Sequence, residues 1–216
     1  MNPMQLNKER ELLELIEKLK RSKVRSVVES RAREFKEIGE KASREVFKEL
    51  CFCILCANYT AERGMKIQAT VGDGFLTLSE LELAQRLRSL GHRFPNTRAR
   101  FIVEARMYMD SLKEIIGSFG AARDLREWLI FNVKGIGPKE ASHFLRNIGY
   151  TDFAILDFHI VNVLTRHGLI EKPKTLTKRK YLEIEDLLGG IARKAGLDLA
   201  ELDLYLWYLE TGRILK

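Results

Sequence analysis

The chain has 216 residues, of which 45% are hydrophobic and 31% charged, so it can bury a substantial core in one large domain or two small lobes. This composition excludes an intrinsically disordered protein, and no apolar run approaches the length of a membrane span. Thirty-seven Lys and Arg against 30 Asp and Glu give a net charge of +7, which favours a polyanionic partner such as nucleic acid.

Helical periodicity dominates the chain, and no segment shows the alternation that is typical of a strand. In the first segment, Leu12, Leu13 and Ile16 belong to an apolar stripe that faces away from Lys and Glu side chains. Similar patterns predict further helices at about 27–38, 41–57, 61–71, 79–89, 95–116, 121–131, 138–147, 157–167, 177–195 and 198–211. The sequence therefore predicts an all-α fold built from many short helices.

The ends of these helices carry capping signals. Ser79 with Glu82 three residues later predicts a capping box, and Asp157 and Asp198 each precede a helical pattern. Glycines stand where helices are expected to stop, at Gly91, Gly149 and Gly168. The charged N-terminal segment does not resemble a signal peptide, so we expect a cytoplasmic, nucleoid-associated monomer that contacts no membrane.

The three cysteines lie close together, at Cys51, Cys53 and Cys56. No fourth metal ligand lies nearby, and Cys51 and Cys53 point about 200° apart on a helix. We therefore expect buried, reduced, structural thiols and no metal site.

A helical hairpin is predicted at about residues 121–148 from the sequence "VKGIGPKEASHFLRNIG". Gly135 and Gly137 permit a tight reversal with positive φ, and Ile136 between them can enter the core. The backbone N–H groups of these three residues can then hold a phosphate at the start of the second helix. The alternative is a helix–helix turn capped by Gly-Pro, with no ligand.

Lys139 occupies an unusual place for a cation. Pro138 fits the first helical position, which puts Lys139 in the first turn, where the helix dipole favours a neutral, nucleophilic amine over an ammonium. An exposed lysine without a role is the alternative. Asp157 follows 18 residues after Lys139 at the start of another helix, where it can act as an N-cap and also in catalysis.

The hairpin "VKGIGPKEA" followed by "LDFHI" resembles the helix-hairpin-helix (HhH-GPD) DNA glycosylase superfamily, whose bifunctional members pair a hairpin lysine with an aspartate at this spacing. Five segments, from "FCILCANYTAERGMKIQ" to "LWYLETGRILK", resemble the type-2 8-oxoguanine DNA glycosylase/AP lyases. The resemblance implies a two-lobed helical fold with a cleft between the lobes. A central lobe of 57–136 and a second lobe of 1–56 and 137–216 are expected.

The resemblance also implies an activity: excision of 8-oxoguanine from double-stranded DNA, with strand cleavage at the abasic site. Lys139 is expected to form a Schiff base with the sugar, and Asp157 to stabilise the positive charge that develops there, with no cofactor and no metal. Relatives with an iron–sulfur cluster differ, because the C-terminal third here has no cysteine. A Gly-Pro-rich loop before Asp157, present in many superfamily members, is also absent.

By the same resemblance, the remaining site residues contact DNA. Arg93 and Phe94 are expected to contact the estranged cytosine and fill the vacated stack, with Asn58 as a second wedge; Phe94 as a core aromatic and Asn58 as a helix cap are the alternatives. Trp207 is expected to line the base pocket rather than the core, and Lys216 to close it. Backbone carbonyls or the carboxylate of Lys216 are candidate acceptors for the N7 proton of the lesion.

Two other functions remain open from the sequence. One is a helix-hairpin-helix glycosylase for another damaged base, against which Trp207 and the ending "GRILK" argue. The other is a non-catalytic DNA-binding module in which Lys139 contacts phosphate as a cation. Binding alone would not explain Asp157, whose carboxylate would repel the DNA backbone.

Overall fold

The structure is a computed structural model that describes residues 3–216, with side chains from residue 6 onward. Within this range the regular structure is α-helical, apart from one short 3-10 helix at Arg106–Tyr108. The α-helices are α1 Pro3–Lys20, α2 Val24–Glu40, α3 Ser43–Cys56, α4 Ala61–Val71, α5 Gly74–Thr77, α6 Glu80–Ser89, α7 Pro95–Ala105, α8 Leu112–Gly117, α9 Ala122–Asn132, α10 Pro138–Asn147, α11 Phe158–Arg166, α12 Lys178–Ala195 and α13 Leu199–Thr211. The predicted all-α fold is confirmed.

Local capping chemistry sets several helix boundaries as predicted. The Ser79 side chain accepts from the Glu82 amide, and Glu82 reaches back to the Ser79 amide, so the predicted capping box at α6 is confirmed. Asp198 caps α13 in the same way, through Glu201. None of the helices among residues 3–216 is long and apolar enough to span a membrane.

A single helix over 95–116 was a wrong prediction, because the chain leaves the helix after Ala105. Long-range contacts favour the break. The Arg106 guanidinium donates to the Phe75 carbonyl at 2.8 Å, and the Lys113 amide donates to Ser43 Oγ at 3.0 Å where α8 begins. The short helix α5, which carries Phe75, has no periodic signal long enough to predict it.

The chain divides into two compact units. Unit 1 contains the residues up to Phe35 together with Tyr150–Lys216, and unit 2 is Lys36–Gly149. The lobes expected from the sequence, 57–136 and the remainder, have other limits and stay a prediction.

Unit 1 is built around packed apolar faces of α1, α11, α12 and α13. Buried residues of these helices, among them Ile16, Leu164 and Leu188, form its main core. The segment before Asp157 enters this core as an extended strip, 153–156, with every residue buried. Buried backbone needs hydrogen-bond partners, and α12 supplies them: Tyr181 Oη donates to the Ala154 carbonyl at 2.6 Å and Glu185 accepts from the Ala154 amide at 3.2 Å.

Unit 2 packs around α3, which contacts α4, α5, α7, α8 and α10. From Leu50 to Cys56 every residue of α3 is buried, as expected for a helix surrounded by others. The three cysteines are buried free thiols, which confirms their predicted burial. Burial raises the pKa of the Cys51 thiol, so this group stays protonated.

Candidate active site

The predicted hairpin is formed by α9 and α10, joined by residues 133–137. Gly135 has φ of +83°, and a Cβ there would lie 2.5 Å from Cδ2 of Phe101, so only glycine fits. Ile136 is buried, as predicted, and Arg126 Nη1 donates to Ser142 Oγ at 3.3 Å between the two helices. The turn is therefore held by its packing against Phe101 and by the hydrogen bond between α9 and α10.

Gly137 differs from its prediction. Its φ is −103°, an extended conformation that any residue can adopt, so the expectation of positive φ at both glycines was wrong at this position. The amide of Gly137 donates to Oε2 of Glu140 at 3.2 Å. Glu140 stands three residues after the N-cap, as in a capping box, and this Gly-x-x-Glu spacing was a sequence signal that went unused.

Lys139 lies in the first turn of α10, directly after Pro138, as predicted. Its side chain is 26% exposed, and Nζ lies 3.1 Å from Oε1 of Glu140. The field at Lys139 thus combines the positive helix terminus with the adjacent carboxylate of Glu140.

Arg98 of α7 connects the hairpin to the rest of unit 2. It is only 6% exposed, and its Nη2 donates to the Ala57 carbonyl at 2.5 Å. A Cβ on Gly135 would lie 3.2 Å from Arg98 Nη1, so the guanidinium lies against the turn. Burial lowers the pKa of Arg98, and the negative charge of Glu140 partly offsets this.

The loop before α7 carries Arg93 and Phe94. Phe94 is 37% exposed, which does not fit the alternative of a core aromatic. Its ring is flanked by two cations, with Arg93 Cζ 5.0 Å and Arg98 Cζ 6.0 Å from the ring centroid. Phe94 is thereby held at the surface beside two charged groups.

Asn58 is exposed and has φ of +58°, the left-handed conformation that asparagine tolerates better than most residues. It follows Ala57, the residue that caps α3 and whose carbonyl binds Arg98. Arg98 therefore brings together three candidate DNA contacts of unit 2: the turn at Gly135, the Phe94 loop and the Asn58 turn.

In unit 1, Asp157 caps α11. Its Oδ1 accepts from the amides of His159 at 2.9 Å and Ile160 at 3.0 Å, which confirms the predicted N-cap. Two backbone donors fix one carboxylate oxygen in place. Residues 153–156, directly before Asp157, are buried in the core of unit 1 and hold the chain in place where α11 begins.

Trp207 is half-buried on α13, and its ring contacts the ring of His159 with centroids 4.5 Å apart at 66°. Within the described residues, Trp207 Nε1 and His159 Nδ1 are buried atoms without a hydrogen-bond partner. Phe158, 65% exposed, also stacks on His159, with ring centroids 3.8 Å apart. Sequence reasoning missed Phe158 and His159, although both belong to the "LDFHI" segment that was singled out.

Lys216 is half-buried after the left-handed Gly212 that ends α13, and its role at the base pocket stays a prediction. Among residues 3–216 no cluster of three or more His, Cys, Asp or Glu residues is arranged to hold a metal. An all-helical fold of this kind is that of the helix-hairpin-helix (HhH-GPD) DNA glycosylases.

Comparison with known proteins identifies the family. The family model for 8-oxoguanine DNA glycosylase matches residues 28–197. A relative from Korarchaeum cryptofilum, an 8-oxoguanine DNA glycosylase/AP lyase, is 53% identical over 207 residues, covering 95% of this chain and 98% of the relative.

Two solved structures are also similar. The Methanocaldococcus jannaschii 8-oxoguanine glycosylase/lyase in complex with 15mer DNA containing 8-oxoguanine has a TM-score of 0.92 and 52% identity, covering 95% of this chain and 99% of that one. The 8-oxoguanine DNA glycosylase of Thermotoga maritima has a TM-score of 0.90 and 45% identity, covering 96% and 100%. The chain belongs to the 8-oxoguanine DNA glycosylase family.

The two glycines of the hairpin give a matched pair of variants. Gly135→Ala combines positive φ with a clash against Phe101, and we expect a loss of about 1–3 kcal/mol in the free energy of unfolding and weaker DNA binding. Gly137→Ala places Cβ 3.2 Å from Oε2 of Glu140, which can move because it is on a side chain. This variant should therefore lose much less unfolding free energy than Gly135→Ala. Denaturant unfolding and duplex binding of both variants measure the difference; equal losses would contradict the conformational argument.

Proposed function

We propose that this chain excises 8-oxoguanine from double-stranded DNA and cleaves the strand at the resulting abasic site. Membership of the family and similarity over nearly the whole chain support the substrate. The observation that carries the chemistry is the half-buried Lys139 at the start of the hairpin's second helix. Because its target is DNA, we place the protein at the nucleoid.

Excision begins with removal of the damaged nucleotide from the stack, at a cost of about a few kcal/mol. The amides around Gly135, Ile136 and Gly137 anchor a backbone phosphate. The Ile136 amide must then share or exchange its bond to the Val133 carbonyl, and the Gly137 amide its bond to Glu140. Phe94 fills the vacated position, and Arg93 contacts the estranged cytosine. Asn58 follows Ala57, whose carbonyl accepts from Arg98, and acts as a second wedge residue.

Lys139 then acts as the nucleophile. Its neutral amine attacks C1′ of the sugar, the bond from C1′ to the base breaks, and the base leaves with the electron pair and takes up a proton. Asp157 stabilises the positive charge that develops on the sugar. The attacking nitrogen then gives up a proton to O4′ as the C1′–O4′ bond breaks, which opens the sugar ring and leaves a Schiff base between C1′ and Lys139. The Schiff base withdraws electrons, so loss of a proton from C2′ expels the 3′ phosphate by β-elimination.

Recognition of the lesion rests on a reversed hydrogen bond. Oxidation converts N7 of the purine from an acceptor into a donor, so a buried acceptor favours 8-oxoguanine and disfavours guanine. Trp207 offers a flat face for stacking on the purine, and Lys216 closes the pocket.

Lys139→Gln tests the proposed chemistry. The substituted amide nearly keeps the length and polarity of the side chain but cannot form a Schiff base, so borohydride should trap no adduct on an 8-oxoguanine duplex while duplex binding persists. Trapping at the wild-type level would refute the role of Lys139. Binding by the wild-type protein without any trapping would instead support the non-catalytic DNA-binding module.

Asp157 offers a pair of variants that separates its two roles. An asparagine side chain can still accept the amides of His159 and Ile160, so Asp157→Asn should keep the cap and lose excision. Asp157→Ala should lose excision and also about 1 kcal/mol of unfolding free energy. Retained excision by Asp157→Asn, measured as release of 8-oxoguanine, would remove the carboxylate from the mechanism.

Trp207→Ala tests the base pocket. Loss of a stacking face costs about 1–3 kcal/mol per base, so release of 8-oxoguanine should fall by about fivefold or more. Cleavage at a preformed abasic site, where no base needs the pocket, should change little. A parallel loss of both activities would show that Trp207 supports the fold of unit 1 and not the base.

A further inference from the structure

His92 is a buried histidine, 4% exposed, directly before the two predicted wedge residues. Its Nε2 lies 3.1 Å from the Leu55 carbonyl, and the Phe94 amide donates to its Nδ1 at 3.0 Å. A carbonyl can only accept and an amide N–H can only donate, so Nε2 carries the proton and Nδ1 offers a lone pair. Both ring nitrogens of a neutral imidazole are therefore used.

The same ring joins two loops of unit 2. Tyr59 packs on His92 with ring centroids 4.3 Å apart, and Tyr59 Oη donates to the Gly91 carbonyl at 3.1 Å. Leu55 and Tyr59 lie on either side of the Asn58 turn. The loop that carries Arg93 and Phe94 is thus fastened to the segment that carries Asn58, by contacts that span 32 and 37 residues of sequence.

The groups that face His92 favour its neutral form. Burial is the main cause that lowers its pKa, the Arg98 guanidinium lowers it further, and the bond to Leu55 partly offsets both. Tyr59 presents an aromatic ring, which carries no charge that would stabilise an imidazolium in the ring plane.

We propose that His92 is a positioning residue that holds Phe94, Arg93 and Asn58 as one preorganised wedge without contacting DNA itself. The proposal rests on the proposed function, because it assigns His92 to the opening of the base stack and not to the chemistry of Lys139. A loop already held in its bound conformation loses less conformational freedom when DNA binds. Removal of the imidazole should therefore slow excision of the base from a duplex. It should leave strand cleavage at an abasic site in single-stranded DNA, where no base stack is opened, nearly unchanged.

Protonation gives the proposal a pH signature. A second ring N–H would point at the Phe94 N–H and replace attraction by repulsion. Since the pKa of folded His92 lies below its ordinary value, the stabilisation is present above about pH 6.5 and is lost as the pH falls through the folded pKa.

Two variants separate packing from hydrogen bonding. His92→Phe keeps a ring against Tyr59 and loses both hydrogen bonds, whereas His92→Asn can keep an acceptor near Nδ1. Two activities are compared: release of 8-oxoguanine from a duplex, and cleavage of a single strand with a preformed abasic site, which has no stack to open. At about 1 kcal/mol for each hydrogen bond, His92→Phe should slow the first by about tenfold or more and the second by less than about twofold.

His92→Asn should recover most of the excision. As the pH falls through the point at which the wild-type imidazole protonates, located by ¹⁵N NMR, the ratio of the two activities should fall in the wild type and not in His92→Asn. Equal excision by His92→Phe and wild type would overturn the proposal, as would an equal loss of both activities. Failure of His92→Asn to recover excision would also overturn it.

The hydrogen bonds of His92 can also be tested without DNA, and so independently of the proposed excision of 8-oxoguanine. In ¹⁵N NMR the wild type should show a neutral imidazole with the proton on Nε2, and hydrogen exchange of the Phe94 amide should be faster in His92→Phe. A wild-type protein that binds the duplex but releases no 8-oxoguanine would refute the proposed function alone. An unprotected Phe94 amide in the wild type would refute the role of His92 alone.

Discussion

The carboxylate of Glu140 is the group on which the proposed chemistry of unit 2 depends. It accepts the amide of Gly137 at the start of α10, at 3.2 Å, and it pairs with Lys139 at 3.1 Å. It also offsets the burial of the Arg98 cation. Arg98 in turn binds the Ala57 carbonyl and lies against the turn at Gly135. One carboxylate at a helix start thus contacts the proposed nucleophile and the phosphate-binding turn, and it offsets the burial of the cation at the base of the wedge.

The features that the sequence predicted are those with local causes. Ser79 and Asp157 act on amides two or three residues away, and Gly135 requires positive φ because of the turn itself, so spacing alone indicates them. The break after Ala105 and the contacts of His92 were not predictable in this way. They depend on carbonyls of Phe75 and Leu55, 31 and 37 residues distant in sequence, whose positions exist only after folding.

In unit 1 the fold and the proposed chemistry use the same atoms. The bonds that cap α11 orient the carboxylate of Asp157, and α12 holds the buried strip before it through Tyr181 and Glu185. In place of a Gly-Pro-rich loop, side chains of α12 bind the amide and carbonyl of Ala154 and the amide of Leu156 in this strip. Trp207 and His159 lie beside this helix start, and among the described residues their buried Nε1 and Nδ1 have no hydrogen-bond partner.

The covalent bond between the amine of Lys139 and the sugar is the step from which the rest of the proposed reaction follows. Tryptic digestion of the borohydride-reduced adduct, followed by mass spectrometry, locates that bond directly. We expect a sugar-phosphate remnant on Lys139 and no tryptic cleavage after it. A remnant on Lys134, which lies on the same hairpin and pairs with Glu104 at 2.9 Å, or on any other lysine, would show that Lys139 is not the nucleophile.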